Sequence, residues 1–195
     1  MSQPLALVVG LGNPGPRYED TRHNAGAWFV EALARAHGVA LREEARFRAR
    51  VGRGVIAGAD LRLAVPTTYM NHSGEAVAAL ARFFRIPPEA ILVAHDDLDL
   101  PPGTARLKQG GGHGGHNGLR DIIARLGSPA FRRLRLGIGH PGHRDEVVAY
   151  VLRRPPPEER RAIEEAVARA LEVFPLVAEG ALGRAMSRLH APPRP

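Results

Sequence analysis

Short apolar runs alternate along this chain with helix-length amphipathic segments, and each run is broken off by a stretch rich in glycine, proline or polar residues. That alternation is the strongest constraint on the fold. Strands that take turns with helices bury themselves in a sheet that has helices laid on its faces. "LALVVGL", from Leu5 to Leu11, is apolar throughout and reads as a buried strand. Asn24 can cap a helix that runs to about His37 and is closed by Gly38. Residues 45–65 hold short alternating runs broken at "GRG" and "GAD", which predicts antiparallel strands. A helix is expected from Ser73 to about Phe84, stopped by Pro87 and Pro88. "AILVAH" reads as a second buried strand, "TARLKQ" as a short alternating one, and "NGLRDIIARLG" as a capped helix. "FRRLRLGIG" alternates basic and apolar residues, which predicts a strand with one wet face. Residues 145–152 and 157–180 are expected to be helical, with a kink or end at Pro175. Trp28, Phe29, Phe83 and Phe84 fall on helical faces and are expected in the core.

The fold class is therefore α/β: a single domain with a twisted mixed β-sheet covered by helices on both faces. It is expected to span 1–195, with a helical C-terminal segment from about 155. A chain of 195 residues suffices for one well-buried core, and it contains no internal repeat and no linker long enough to divide it.

The stretch "VVGLGNPGPRYEDTRHN" spells G-x-G-x-x-G with Gly10, Gly12 and Gly15. A dinucleotide turn needs a helix that starts within those glycines, and an acid about 20 residues on. Here Pro14, Pro16 and the polar run to Asn24 delay the helix, and the chain reads "FVEALARA" where the acid should end a second strand. The loop is better explained by its polar members, among them Asn13, Tyr18, Arg22, His23 and Asn24.

Composition narrows the chemistry. The chain has no cysteine, which excludes disulfides, thiolate metal sites and a cysteine nucleophile. No run approaches the roughly 18 apolar residues of a membrane span, and no export signal is visible, so the cytoplasm is expected. Residues 103–144 carry eight basic side chains against one acid, Asp121. Such a basic half points to a polyanion, most simply a nucleic acid. A solvated basic face would leave the same trace.

Four polar clusters are expected just beyond predicted strands: Asn13 with His23; Tyr69 with Asn71; His95, Asp96, Asp97 and Asp99; and Lys108, His113, His116 and Asn117. Each has an ordinary structural explanation taken alone. Five glycines among residues 110–115 are harder to dismiss, because a loop so costly to order usually admits a ligand closely. His113 and His116 stand three apart, but there is no H-E-x-x-H and no G-x-S-x-G. What remains is a histidine oriented by a carboxylate with asparagines nearby, the equipment for general-base hydrolysis by water. A metal-dependent hydrolase and a binding protein on the same fold stay open at this point.

Four long motifs, "VGLGNPGPRYEDTRHNAGAWFVEALA", "PTTYMNHSGEAV", "HDDLDLPPGTARLKQGGGHGGHNGLRDI" and "FRRLRLGIGHPG", resemble in order and spacing the bacterial peptidyl-tRNA hydrolase family. The resemblance covers roughly Leu5 to Leu152; the tail after Pro155 matches mainly in being helical. It differs at Asp97, where that family more often has glutamate. It implies an esterase that cuts the bond between a peptide, or an N-blocked aminoacyl group, and the 3′ ribose of tRNA. It also implies a monomer without metal or cofactor and without an obligate protein partner. By this resemblance His23 matches the catalytic histidine, Asp96 the acid that holds it, and Asn13 the asparagine that helps tell blocked from free aminoacyl groups. Tyr18, Tyr69, Asn71, His116 and Asn117 match substrate contacts, and Lys108 and Arg135 match a basic pair at the tRNA 5′ phosphate.

Overall fold

The computed structural model describes residues 3–192; of the expected 1–195 domain, residues 1–2 and 193–195 lie outside that range. The first apolar run forms β1, Leu7–Gly10, buried at every position. It lies between β4 (Ala59–Pro66) and β5 (Ile91–Asp97) and runs parallel to both. Beyond β5 come β7 (Arg132–Gly137), parallel, and β6 (Ala105–Gln109), antiparallel to β7. At the other side β3 (Ala49–Ile56) and β2 (Arg42–Glu44) add an antiparallel meander. The result is one mixed sheet of seven strands in the order β2-β3-β4-β1-β5-β7-β6.

Alternation along β1 and β5 sends Val8, Leu92 and Ala94 to one core and Leu7, Val9, Ile91 and Val93 to the other. The first core is covered by α1 (Ala25–Ala36), α5 (Pro157–Ala178) and α6 (Leu182–His190). The second is covered by α2 (Ser73–Phe84) and α3 (Asn117–Leu126). Two glycines set how closely α1 approaches the sheet. A Cβ on Gly10 would stand 2.4 Å from the Gly26 oxygen, and one on Gly26 would stand 2.1 Å from the Ala94 oxygen. Without side chains there, the first turn of α1 presses directly onto β1 and β5. His23 lies in the 3-10 turn just before α1, and Asp96 lies two residues past Ala94 on β5, so this contact brings them together.

Several local expectations are corrected. "GRG" does not break a strand; Gly52–Gly54 sits inside β3, and the turn falls at Ala57–Gly58. β7 has no wet face, because it is an interior strand with its residues buried or half-buried. Two of its arginines are consumed by backbone oxygens, Arg132 donating to Gln3 and Arg133 to Gly111, Gly112 and Pro129, and the third, Arg135, by the Asp97 carboxylate. Pro175 does not end its helix; α5 continues to Ala178, where Pro175 lies near the end and few hydrogen bonds depend on it. The expected helix over 145–152 is a 3-10 turn, Arg144–Glu146, followed by α4, Val147–Val151. The helix expected over 157–180 is α5, and the final helix α6 falls beyond it, where the sequence pattern predicts no separate element. Phe83 is 56% exposed, on the outer side of α2 rather than in the core.

Candidate active site

β1, β4, β5 and β7 are mutually parallel, so their carboxyl ends share one edge of the sheet, where ligands of such sheets collect. Asn13 follows β1 and Tyr69 follows β4. Asp96 and Asp97 are the last residues of β5 itself, not members of a loop beyond it. A strand fixes a side chain more rigidly than a loop does, and Asp96 is only 3% exposed.

The Asp96 carboxylate is held by two histidines. Its Oδ2 lies 2.8 Å from His23 Nδ1, and its Oδ1 lies 2.8 Å from His116 Nε2. His116 is the N-cap of α3: its Nδ1 accepts from the backbone N–H groups of Gly118 and Leu119. A ring nitrogen that accepts carries no proton, so His116 must carry its proton on Nε2 and donate it to Asp96. At His23 the Nδ1–H donates to Asp96 in the same way, which leaves Nε2 as the nitrogen with a lone pair. The sequence pattern predicts a cap at Asn24 for α1 and leaves the cap of "NGLRDIIARLG" without a named side chain. In the structure the Asn24 side chain makes no cap bond, and the cap of α3 is His116.

Electrostatics follow from this cluster. Burial alone would lower the His23 pKa, but the charge of Asp96 and its hydrogen bond outweigh it and raise the pKa above the ordinary 6.5. Burial alone would raise Asp96, yet the two histidines hold it well below the usual carboxylate range. A third histidine, His95, is buried behind them, its ring centre 5.3 Å from that of His116. Burial first, and then His116, push its pKa down to about 4. Its Nδ1–H donates to the Asp96 carbonyl, 2.8 Å away.

Asn13 is fixed from three directions. Its backbone N–H donates to Asn24 Oδ1 at 2.8 Å, and its carbonyl accepts from Asn24 Nδ2 at 2.9 Å. Its own Oδ1 accepts from the Met70 N–H at 2.7 Å, which identifies Nδ2 as the end left to donate. Gly12 makes room for this arrangement, since a Cβ there would meet the Asn24 amide at 2.8 Å. Asn13, His23 and Asp96 line a cleft of about 680 Å³, together with Tyr18, Tyr69, Asn71, His116 and Asn117. Tyr18 and Tyr69 meet edge to face, ring centres 6.2 Å apart. Residues of α4, among them Val148 and Val151, form an apolar wall. Arg22 ties α4 to the His23 turn, donating to the Tyr150 carbonyl and to Glu159.

Lys108 and Arg135 lie outside this cleft, on neighbouring strands. The register sets Lys108 opposite Arg133 and Arg106 opposite Arg135, so Lys108 and Arg135 are not directly paired. Arg135 donates through Nε to Asp97 Oδ2 at 2.7 Å.

The ligand atoms of His23, Asp96 and His116 all lie within 4.8 Å of one another, a set that could hold a metal. Their 2.8 Å contacts are hydrogen-bond distances, and coordination would have to displace both ring protons that make them. Hydrogen bonding accounts for the whole arrangement.

A seven-stranded mixed sheet with a histidine–carboxylate–histidine cluster at its carboxyl edge defines the class: a single-domain α/β protein with a cleft beyond the carboxyl ends of its parallel strands. The family model described as peptidyl-tRNA hydrolase matches residues 7–195. The chain belongs to the peptidyl-tRNA hydrolase family. It is 60% identical over 185 residues to the peptidyl-tRNA hydrolase of Halorhodospira halophila, covering 95% of each chain. It is 61% identical over 188 residues to that of Azotobacter vinelandii, covering 96% of this chain and 97% of the other. The crystal structure of peptidyl-tRNA hydrolase from Acinetobacter baumannii superposes with a TM-score of 0.94 at 50% identity, covering 96% of this chain and 95% of that one.

Proposed function

We propose that this chain hydrolyses the ester between a peptide, or an N-blocked aminoacyl group, and the 3′ ribose of tRNA, with His23 as general base. The observation that carries the mechanism is the double grip on Asp96, which fixes the tautomer of His23 and leaves its Nε2 free to take a proton. His23 Nε2 removes a proton from water as the water oxygen attacks the ester carbonyl carbon. The charged imidazolium that forms is stabilised by Asp96. Asn13 Nδ2 donates to the substrate carbonyl, either to the developing oxyanion or to the peptide group of a blocked residue. When the tetrahedral intermediate collapses, the ribose 3′ oxygen leaves and takes the proton from His23. The products are tRNA with a free 3′ hydroxyl and a peptide carboxylic acid, which releases its proton to solvent.

Tyr18, Tyr69, Asn71, His116 and Asn117 bound the space for the acyl group and the terminal ribose, and Lys108 and Arg135 meet a tRNA phosphate. The whole chain acts as one domain, as a monomer, without metal, in the cytoplasm where translation proceeds. No helix among the described residues is long and apolar enough to cross a membrane. The direct test is incubation with N-acetyl-aminoacyl-tRNA, with free aminoacyl-tRNA as control and chelator in a parallel series. Release of deacylated tRNA from the blocked substrate alone, unaffected by chelator, is expected. A binding protein would release none, and a metal enzyme would stop when the chelator is added.

A further inference from the structure

A second cleft, of about 480 Å³, shares Asn13 as a wall with the catalytic cleft but touches neither His23 nor Asp96. Pro14 and Pro16 form one side, Ala27 and Trp28 of α1 another, and Val65 and Pro66 at the end of β4 the third. Five charged side chains line it, Glu19, Asp20, Glu31, Arg50 and Arg160, and the last four form two ion pairs. Arg50 lies 3.3 Å from Glu31, and Arg160 lies 3.4 Å from Asp20 while its guanidinium sits 3.4 Å from the centre of the Trp28 ring. Most of the rim charge is thereby matched, and the surface mixes polar groups with the apolar faces of Pro14, Pro16, Ala27, Val65 and Pro66.

Strand order gives the two clefts a direction. Along the sheet edge the sequence is β4, β1, β5, β7, β6. Lys108 and Arg135 lie on β6 and β7, Asp96 on β5, Asn13 after β1, and the second cleft against the end of β4 and the neighbouring β3. If tRNA lies over β6 and β7 and the ester sits at Asp96, the acyl chain runs on past Asn13 toward β4. Gly15, two residues past Asn13, lines the second cleft with φ of +93° and open space where a Cβ would be. A chain can therefore cross there close to the backbone.

We propose that the second cleft is a peptide subsite, which receives the residues of the acyl chain that precede the esterified one. The proposal rests on the reading of the first cleft as the site of ester hydrolysis. Its ligand is an extended peptide whose backbone meets the polar groups of the cleft and whose apolar side chains lie against Ala27, Val65 and Pro66. Such a site adds affinity for long chains without demanding a sequence, which suits a substrate cut from any message.

The test compares kcat/KM on N-acetyl-aminoacyl-tRNA and on an N-acetyl-tripeptidyl-tRNA with apolar residues. The wild-type protein should favour the longer chain by about tenfold, the scale of one buried apolar side chain. Thr67 lines the second cleft, and its backbone N–H bonds to Arg48 independently of its side chain. Thr67→Trp should fill the cleft and erase the preference while leaving the one-residue substrate within about twofold, which also shows that the variant is folded. Thr67→Leu should give an intermediate loss. The subsite is overturned if the wild type shows no length preference, if Thr67→Trp keeps it, or if both substrates suffer equally. Failure of the wild type on both substrates would instead remove the hydrolase reading, and the subsite with it.

Discussion

One side chain, Asn24, holds both backbone groups of Asn13, accepting its N–H at 2.8 Å and donating to its carbonyl at 2.9 Å. Asn24 is 5% exposed, so no solvent stands ready to replace it. Asn24→Ala should destabilise the protein by roughly 1–3 kcal/mol, the cost of leaving buried backbone groups unpaired. It should also lower kcat by about ten- to a hundredfold, because Asn13 loses its fixed position. Thermal unfolding and steady-state kinetics on N-acetyl-aminoacyl-tRNA check both, and an unchanged kcat would separate Asn13 from the reaction.

His23→Ala removes the proposed base. It should lower kcat by about 10²-fold or more, the usual scale of general-base catalysis, with circular dichroism unchanged. His23 sits in a 3-10 turn at the cleft outside both hydrophobic cores, and His116 still donates to Asp96 without it, so the variant should keep its fold at some cost in stability. Near-normal turnover by the folded variant would remove it from the mechanism.

Lys108 and Arg135 are separated from the hydrolytic cluster, so they should contribute affinity rather than turnover. The double variant Lys108→Ala, Arg135→Ala should raise KM for full-length peptidyl-tRNA and leave kcat at saturation nearly intact. The log–log salt slope should become shallower by roughly 0.7 to 0.9 for each phosphate that is no longer neutralised. A short substrate without the tRNA 5′ end should be indifferent. Equal losses on both substrates would place these residues in support of the active site instead, through the Arg135–Asp97 pair.

His190 near the end of α6 accepts the N–H of Leu107, on edge strand β6, at 3.0 Å. Burial first, and then Arg106 and Arg135, lower its pKa below the ordinary 6.5, so the folded state favours the neutral ring. Its contribution is complete above the unfolded pKa and fades as the pH falls through the lower, folded pKa. His190→Phe should cost about 0.5–1.5 kcal/mol near pH 8, the worth of one hydrogen bond, and the gap should narrow in acid. Denaturant unfolding at several pH values checks this. A gap that widens on acidification would contradict it.

The fold is legible in the sequence where one local signal suffices. Ser73–Phe84 carries its helix start and its apolar stripe within twelve residues, and the strand at Ile91 is apolar on both faces. It is illegible where tertiary contact overrides local pattern. The alternation of β7 promises a wet face, but β6 and β5 flank it, Arg132 and Arg133 turn to carbonyls far off in sequence, and Arg135 turns to Asp97. The candidate site divides in the same way. Residue types and motif resemblance can mark His23, Asp96 and Asn13. Nothing local can show that His116 donates to Asp96 while capping α3, or that Asn24 locks Asn13 rather than capping α1. The Asn24 bonds arise only when Gly10 and Gly26 let α1 settle on one face of the sheet, and the His116 bond only when α3 packs on the other.

The most direct test of the central claim is the pH dependence of kcat/KM on N-acetyl-aminoacyl-tRNA for the wild type and for Asp96→Asn. Asp96 raises the His23 pKa above 6.5, and His23 must be neutral to act as a base, so the wild-type acid limb should fall above that value. Asp96→Asn removes the charge that raises it and weakens support for the imidazolium, so kcat should drop sharply with little change in KM, and the limb should move to lower pH. A limb that stays in place in Asp96→Asn, or a variant that changes KM alone, would contradict the account.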